Sequence, residues 1–403
     1  MPAGGREKQK MGLLRYLKYC ILSVLALIRM TGICGGVSAS VSCMKKIYTC
    51  TPVSFAANNG FWIRDTGLIS RNLRRAGVES KCIMPLPWHD DDDDREHVIR
   101  VERKMLESPA WWKSLQLDGL VLYSWAIFKY IRIARAVHKA GIPCLIHWDG
   151  GAPVYKPFSL KYHAMQWLRA LHLCYGTRVT MTPPVVRAFM RELPFRLIHL
   201  ADKCLPMGCP VDASFRYDGR EKENLIICIG RWYDNGQKRQ HFLMKTLESY
   251  YAAGGDAVTE IYGKLTPELQ SWHSGLPLAV QKSVRLIGYV NNAELYDVYN
   301  RARIILCPSA SESSHIVSAE SLCCGATVVV TNRPLPLATV RWYTTQNSGT
   351  ISEEDTPASL AEALRSELEI WNQGGRNPSA IAAAWQSYFH PDKVLKSFIG
   401  ADS

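Results

Sequence analysis

Residues 311–325 read SESSHIVSAESLCCG and lie between two apolar runs, ARIILCPS (302–309) and ATVVVT (326–331). Short apolar runs rich in Ile, Leu and Val have the length and composition of buried strands. The stretch between them stops at Gly325, as a helix does, and predicts a helix over 314–324. Strand, loop, helix, strand is the repeating unit of a parallel sheet covered on both faces. In such a sheet the loop after a strand opens at the carboxyl edge, where ligands bind. Glu312 lies on this loop and Glu320 lies eight positions later, inside the expected helix. No basic residue of the stretch neutralises either carboxylate, which raises the question of what they bind.

The same unit repeats on both sides. NLIICIGR (224–231), AVTEIYGK (257–264) and SVRLIGYV (283–290) read as strands before the opening stretch, with helices HFLMKTLESYYAAG (241–254) and NAELYDVYNRA (292–302) between them. A first alternation precedes these: KIYTCTPV (46–53), SKCIMPL (80–86), LDGLVLYSW (117–125), IPCLIHWD (142–149) and RVTMTP (178–183), with a helix over GLISRNLRRAG capped by Asp65 or Thr66. The segment 203–224 breaks the pattern with Pro and Gly and reads as a linker. The expected architecture is α/β, with two Rossmann-like domains whose parallel sheets face each other across a cleft. Its parts are an extension over 1–43, a first domain over 44–204, a linker over 205–223 and a second domain over 224–380. A C-terminal helical segment over 381–403 is expected to pack back on the first domain.

Composition narrows the function classes. The chain of 403 residues is 47% hydrophobic and 21% charged, ordinary for a globular protein of two domains. Residues 1–50 hold eight Lys or Arg against the single acid Glu7, which accounts for seven of the net twelve positive charges. The remainder is only mildly basic, and no nucleic-acid motif is present, so a nucleic-acid partner is not expected. Thirteen cysteines form no C-x-x-C pair and several sit inside apolar runs, which fits buried free thiols in a reducing compartment better than zinc. The Asp90–Asp94 run reads as a solvated loop, because carboxylates in one segment do not surround an ion. The basic leader with YCILSVLALI (19–28) is too short in apolar residues to span a bilayer. It reads as a peripheral extension, a signal peptide or an anchor. A cytosolic co-substrate argues against the two export readings and for a cytoplasmic protein, with peripheral association at the inner membrane surface left open.

The chemistry gathers at the loops of the second alternation. GRWYDNGQKR follows the strand at 224–230 and carries Gly230, Arg231, Lys238 and Arg239. GYVNNAEL follows the strand at 283–288, beginning at Gly288, and the opening stretch follows the strand at 303–307. Cations and a glycine at one sheet edge suit a diphosphate, while carboxylates suit sugar and ribose hydroxyls. Divalent cations are the alternative means of neutralising a diphosphate, but fixed cations and helix amides suffice here, so neither metal nor other cofactor is expected.

These motifs, in this order, resemble those of the retaining nucleotide-sugar glycosyltransferases of the GT-B fold, the "group 1" family. The resemblance rests on the Gly-Arg strand end followed by a Lys, on G-Y-V-x-x-x-E-L-x-x-x-Y-x-x-A over 288–302 and on the proline–serine loop with E-x7-E. The linker CLPMGCPVDASF (204–215) and the tail SGTISEEDTPASLAEAL (348–364) are similar to further family segments. The likeness covers about 200–370 well and 45–200 loosely. It implies transfer of a sugar from a nucleoside diphosphate to an acceptor hydroxyl with retention of configuration, in glycan, lipopolysaccharide or exopolysaccharide synthesis. It makes Arg231 and Lys238 the diphosphate cations, with Lys238 preferred to Arg239, makes Glu320 the ribose carboxylate and places Glu312 near the transferred sugar. Ser313, Ser314, His315 and Ile316 follow Glu312 on the donor side, where the family usually has G-F-G. In the first half, Gly60 in AANNGFWIRDTG (56–67) and His147 and Asp149 in IHWDGGAP (146–153) face the acceptor. His147 is either a catalytic residue or a hydrogen-bonded structural one. A GT-B sugar-nucleotide epimerase and a non-catalytic sugar-nucleotide or glycan-binding protein are the alternative functions.

Overall fold

The computed structural model describes residues 46–56, 62, 64–89, 95–124, 128–148, 158–181, 203–206, 209–233, 236–312, 314–333 and 340–392. The first sheet contains β1 (Ile47–Cys50), β2 (Cys82–Pro85), β3 (Val98–Val101), β4 (Gly119–Ser124), β5 (Cys144–Trp148), β6 (Arg178–Met181) and β7 (Cys204–Pro206). The second contains β8 (Glu223–Ile229), β9 (Val258–Tyr262), β10 (Val284–Gly288), β11 (Ala302–Cys307), β12 (Thr327–Val330) and β13 (Gly349–Ile351). Every pairing is parallel, in the orders β3-β2-β1-β4-β5-β6-β7 and β10-β9-β8-β11-β12-β13. Both orders reverse direction once, between β1 and β4 and between β8 and β11, as in doubly wound sheets.

The strands are apolar on both faces because both faces are covered. Along β8, Leu225 and Ile227 point to one side with Ile305 and Cys307 of β11, and pack under the Asn292–Arg301 and Ile316–Cys323 helices. Ile226 and Cys228 point to the other side with Ile304 and Leu306, under the Gln240–Ala252 and Pro357–Asn372 helices. Successive strand residues alternate faces, so each helix layer receives every second side chain. The first sheet repeats this. Leu120, Leu122, Cys144 and Ile146 lie on one face with Ile133 and Val137 of the Phe128–Lys139 helix. Ile47, Val121 and Leu145 lie on the other with Ile69 and Leu73 of the Asp65–Arg75 helix.

The structure departs from the sequence reading in several places. β3, β7 and β13 were not expected; β7 and β13 are three-residue edge strands, and β7 ends in Pro206, a residue tolerated at edges. β7 also moves the end of the first sheet into the segment read as linker. The Asp65–Arg75 helix is not capped by Asp65 or Thr66. Arg64 takes the N-cap position with no side-chain cap bond. The Ile316–Cys323 helix starts two residues later than expected, with His315 as N-cap.

Of the segment 381–403 expected to pack on the first domain, residues 393–403 lie outside the described residues; the described part belongs to a helix, Pro378–Phe389, that packs on the second domain. Its apolar face puts Ile381, Trp385 and Phe389 against Tyr343 and the Ile316–Cys323 helix, with Phe389 stacked beside Trp385 and edge-on to Tyr343. Gln386 donates to the Cys323 carbonyl at 3.1 Å, and the Phe389 carbonyl accepts from Val211 N–H at 3.0 Å. The last helical piece expected at 392–398 lies outside the described residues from 393 onward, as does the extension over 1–43. Among the described residues no helix is long and apolar enough to cross a membrane.

Phe389→Ala tests this docking. Truncating a buried aromatic should cost about 3–5 kcal/mol of second-domain stability, read by urea unfolding. A loss below about 1 kcal/mol would mean that the helix end contributes little to the core.

Candidate functional site

The reversal between β8 and β11 sets the loops after these strands side by side. Three glycine-bearing strand ends step down to them. Gly230 N–H donates to the Tyr262 carbonyl at 3.2 Å, and Gly263 N–H donates to the Gly288 carbonyl at 2.8 Å. Gly263 has φ +106°, and a Cβ there would sit 2.0 Å from the Gly230 carbonyl oxygen. Only glycine fits where the backbones approach this closely.

A cavity of about 810 Å³ opens at this edge, within the usual size of ligand pockets. Gly230, Arg231 and Lys238 line one wall; Glu312, Ser314, His315 and Ile316 line another. These are residues singled out by the sequence, brought together from loops some seventy positions apart. Lys238 Nζ lies 2.6 Å from Glu312 Oε1 with both side chains largely buried. Gln237 Nε2 donates to Glu312 Oε2 at 3.3 Å and to the Ser311 carbonyl at 3.1 Å, and the Gln237 carbonyl accepts from Ala310 N–H at 2.8 Å. The two loops are thus tied to each other. Arg231 is exposed, with Nη2 3.3 Å from Gln237 Oε1. Arg239 is turned away, with Nη1 2.6 Å from Asp355 and its guanidinium over the Phe242 ring. Lys238, and not Arg239, faces the cavity.

Burial alone would raise the Glu312 pKa, but the neighbouring His315, Lys238 and Ser309 outweigh it and hold the carboxyl below its ordinary value. Burial pushes the His315 imidazole down to about 4, so it is neutral at pH 7. Its Nδ1 is 2.7 Å from Ser318 Oγ, and its Nε2 is 3.8 Å from Glu312 Oε1. Ser314 Oγ accepts from Cys209 N–H at 3.3 Å, and the Ser314 carbonyl accepts from the Tyr343 hydroxyl at 2.8 Å. The Ser318 N–H of the Ile316–Cys323 helix already donates to the His315 carbonyl at 3.0 Å, while the amides of Ile316 and Val317, residues that line this wall, precede the first intrahelical bond.

Glu320 sits behind the wall. Its side chain is 1% exposed. Arg64 of the first domain holds both its oxygens, from Nε and Nη2 at 2.8 Å each, and the Tyr299 hydroxyl donates to Oε2 at 2.8 Å. Gly288 has φ +88° and shapes the end of β10 without lining the cavity; Tyr289 and Val290 after it do line it.

His147 is buried within the first domain. Nδ1 is 2.6 Å from Thr180 Oγ1, Nε2 is 3.6 Å from Cys209 Sγ, and the ring packs on Tyr123. Cys209 lines the cavity and His147 does not. Both ring nitrogens of His147 face protein partners. Gly60, Asp149 and Ser313 lie outside the described residues, as does the Asp90–Asp94 run. Among the described residues no group of His, Cys, Asp and Glu gathers around a common point as a metal site would.

Arg64, Cys209, Tyr233, Gln237, Lys264 and Tyr289 were missed by the sequence reading. For Gln237, Tyr233 and Tyr289 the signal was adjacency to residues already chosen. For Arg64 there was none, because its partner is 256 positions away.

Residues 223–369 match the family model described as glycosyl transferases group 1. The match covers the second domain and leaves the first outside it. No curated protein matches the chain. Among solved structures, a glycosyltransferase from Rickettsia africae is 15% identical, covers 89% of this chain and 100% of its own, and superposes with a TM-score of 0.64. Anabaena HepE in complex with UDP and glucose is 13% identical over 88% of this chain and 99% of its own, with a TM-score of 0.64. A protein described as a UDP-N-acetylglucosamine 2-epimerase from Listeria monocytogenes is 10% identical over 89% and 99%, with a TM-score of 0.57. At such identities the likeness is one of fold, and the fold is GT-B.

The buried imidazoles give the site and its support a pH dependence. Burial pushes His147, His172 and His315 down to about 4, from an ordinary 6.5. Between these values the unfolded chain binds more protons than the folded one. Their contribution to stability is complete above about pH 6.5 and is lost as pH falls toward 4, at up to about 1.4 kcal/mol per pH unit for each group. Urea unfolding at pH 7, 6 and 5 should show this decline. Equal stability at the three values would contradict the burial of these rings.

Proposed function

We propose that the protein is a glycosyltransferase that moves a sugar from a nucleoside diphosphate to an acceptor hydroxyl, with retention of configuration. The observation that carries this reading is the Lys238–Glu312 pair near Arg231, joining two walls of the cavity at the strand-order reversal of a domain that matches the group 1 model. Departure of a nucleoside diphosphate builds negative charge on its terminal phosphate. Fixed cations in a largely buried site stabilise such charge without having to reorganise. Lys238 is held in place by a partner that a phosphate oxygen can share, and exposed Arg231 is placed to fold onto the diphosphate.

In this reading the second domain holds the donor and the first offers the acceptor. Glu320 accepts from the ribose diol, and Ser314, His315 and Ile316 stand beside the phosphates and sugar. Glu312 orients the transferred sugar as well as Lys238. Retention follows if the leaving phosphate oxygen takes the proton of the acceptor hydroxyl on the same face, which requires no separate general base. The acceptor is a glycan or lipid-linked glycan, the pathway one of polysaccharide synthesis, and the compartment the cytoplasm, with the inner membrane surface as the place of contact. Two side-chain cations and the helix amides supply the neutralisation that a divalent cation supplies elsewhere.

Turnover of a nucleotide-sugar panel with glycan acceptors tests this. Lys238→Ala and Arg231→Ala should each lower the rate by two or more powers of ten, about 2.7 kcal/mol in the barrier, with the far-UV circular dichroism unchanged. EDTA should leave most of the wild-type rate, and magnesium should rescue neither variant. Loss of activity in EDTA, restored by magnesium or manganese, would overturn the fixed-cation account. Nucleotide release without any acceptor would support an epimerase, and tight donor binding without turnover a binding protein.

A further inference from the structure

Arg64 joins the two domains at the edge of the cavity. It precedes the Asp65–Arg75 helix of the first domain and lines the cavity with a side chain 26% exposed. Its fork covers both oxygens of Glu320, and the Tyr299 hydroxyl holds Oε2 as well. A carboxylate offers about four lone-pair sites, and a guanidinium fork takes the two outer ones in one plane. A vicinal diol needs the same face of the carboxylate. With the fork in place on both oxygens, the diol and Arg64 exclude each other.

We propose that Arg64 is a latch, which holds Glu320 across the cleft and is displaced from it by the ribose of a nucleoside diphosphate. This rests on the reading of Glu320 as the ribose carboxylate. Three features make the exchange feasible. Arg64 is partly solvated, so its release does not strand a buried cation. Tyr299 keeps Glu320 oriented after the arginine leaves. Arg71, within the Asp65–Arg75 helix, pairs with Asp212 of the linker, a tie that does not involve Glu320. The cost of opening the latch is subtracted from nucleotide affinity.

Isothermal titration of the full chain with UDP, ADP and GDP tests the latch. Whichever nucleotide the wild type binds, Arg64→Ala should bind it at least about fivefold tighter, in the range of ordinary coupling energies. Arg64→Lys, whose ammonium cannot form the fork, should fall between the two. Unchanged affinity in Arg64→Ala would overturn the proposal. Weaker binding would do so too, by making the arginine a phosphate ligand. If Arg64→Ala does not fold, Arg64→Lys decides: affinity equal to or below the wild type sinks the latch. Lys238→Ala separates this result from the reading beneath it. If that variant binds all three nucleotides as the wild type does, the donor site itself is misplaced, whatever Arg64 does.

Discussion

β8 lies between β9 and β11, and that reversal of strand order determines what the second domain can hold. The crossover after β8 leaves on one side of the reversal and the crossover after β11 on the other. Their loops therefore part at the carboxyl edge and leave a crevice between them. Every wall residue described above is reached from that crevice. Glycine at 230 and 263 lets the neighbouring backbones close beneath it, since a side chain at 263 would collide with the Gly230 carbonyl.

Electrostatics then decides which side chains the crevice can keep. A buried carboxylate persists only when paired. Glu312 is paired with Lys238 from the neighbouring loop, and Glu320 with Arg64 from the other domain. The two glutamates of one short stretch therefore differ in what their partners can do. Lys238 is largely buried and moves with the second domain. Arg64 is more exposed and moves with the first. Glu312 is thus held within a rigid wall, while the environment of Glu320 depends on how the two domains meet.

Much of this was legible in the sequence. Apolar runs gave the central strands of both sheets, because a strand covered on both faces has no polar side to confuse the pattern. Of the four edge strands only β10 was legible: β7 and β13 have three residues each, and β7 contains a proline. The packing of the Pro378–Phe389 helix on the second domain was not legible, because its aromatic face meets Tyr343, whose position periodicity does not reveal. At the site, Arg231, Lys238 and Glu312 could be chosen because each sits next to a strand end whose loop must open at one edge. His147 could not be assigned, since the layer separating it from the cavity is Cys209, from the segment after β7. Arg64 could not be found at all, because a contact between domains leaves no local trace in either of them.

The central claim is that a nucleoside diphosphate lies against Lys238 and Arg231 in the second-domain crevice. A crystal structure of the protein soaked with UDP, ADP or GDP tests it most directly. The account predicts a terminal phosphate oxygen about 2.7–2.9 Å from Lys238 Nζ, the length of a charge-assisted hydrogen bond, with the ribose at Glu320. A diphosphate bound away from these side chains, or held by the first domain alone, would contradict it.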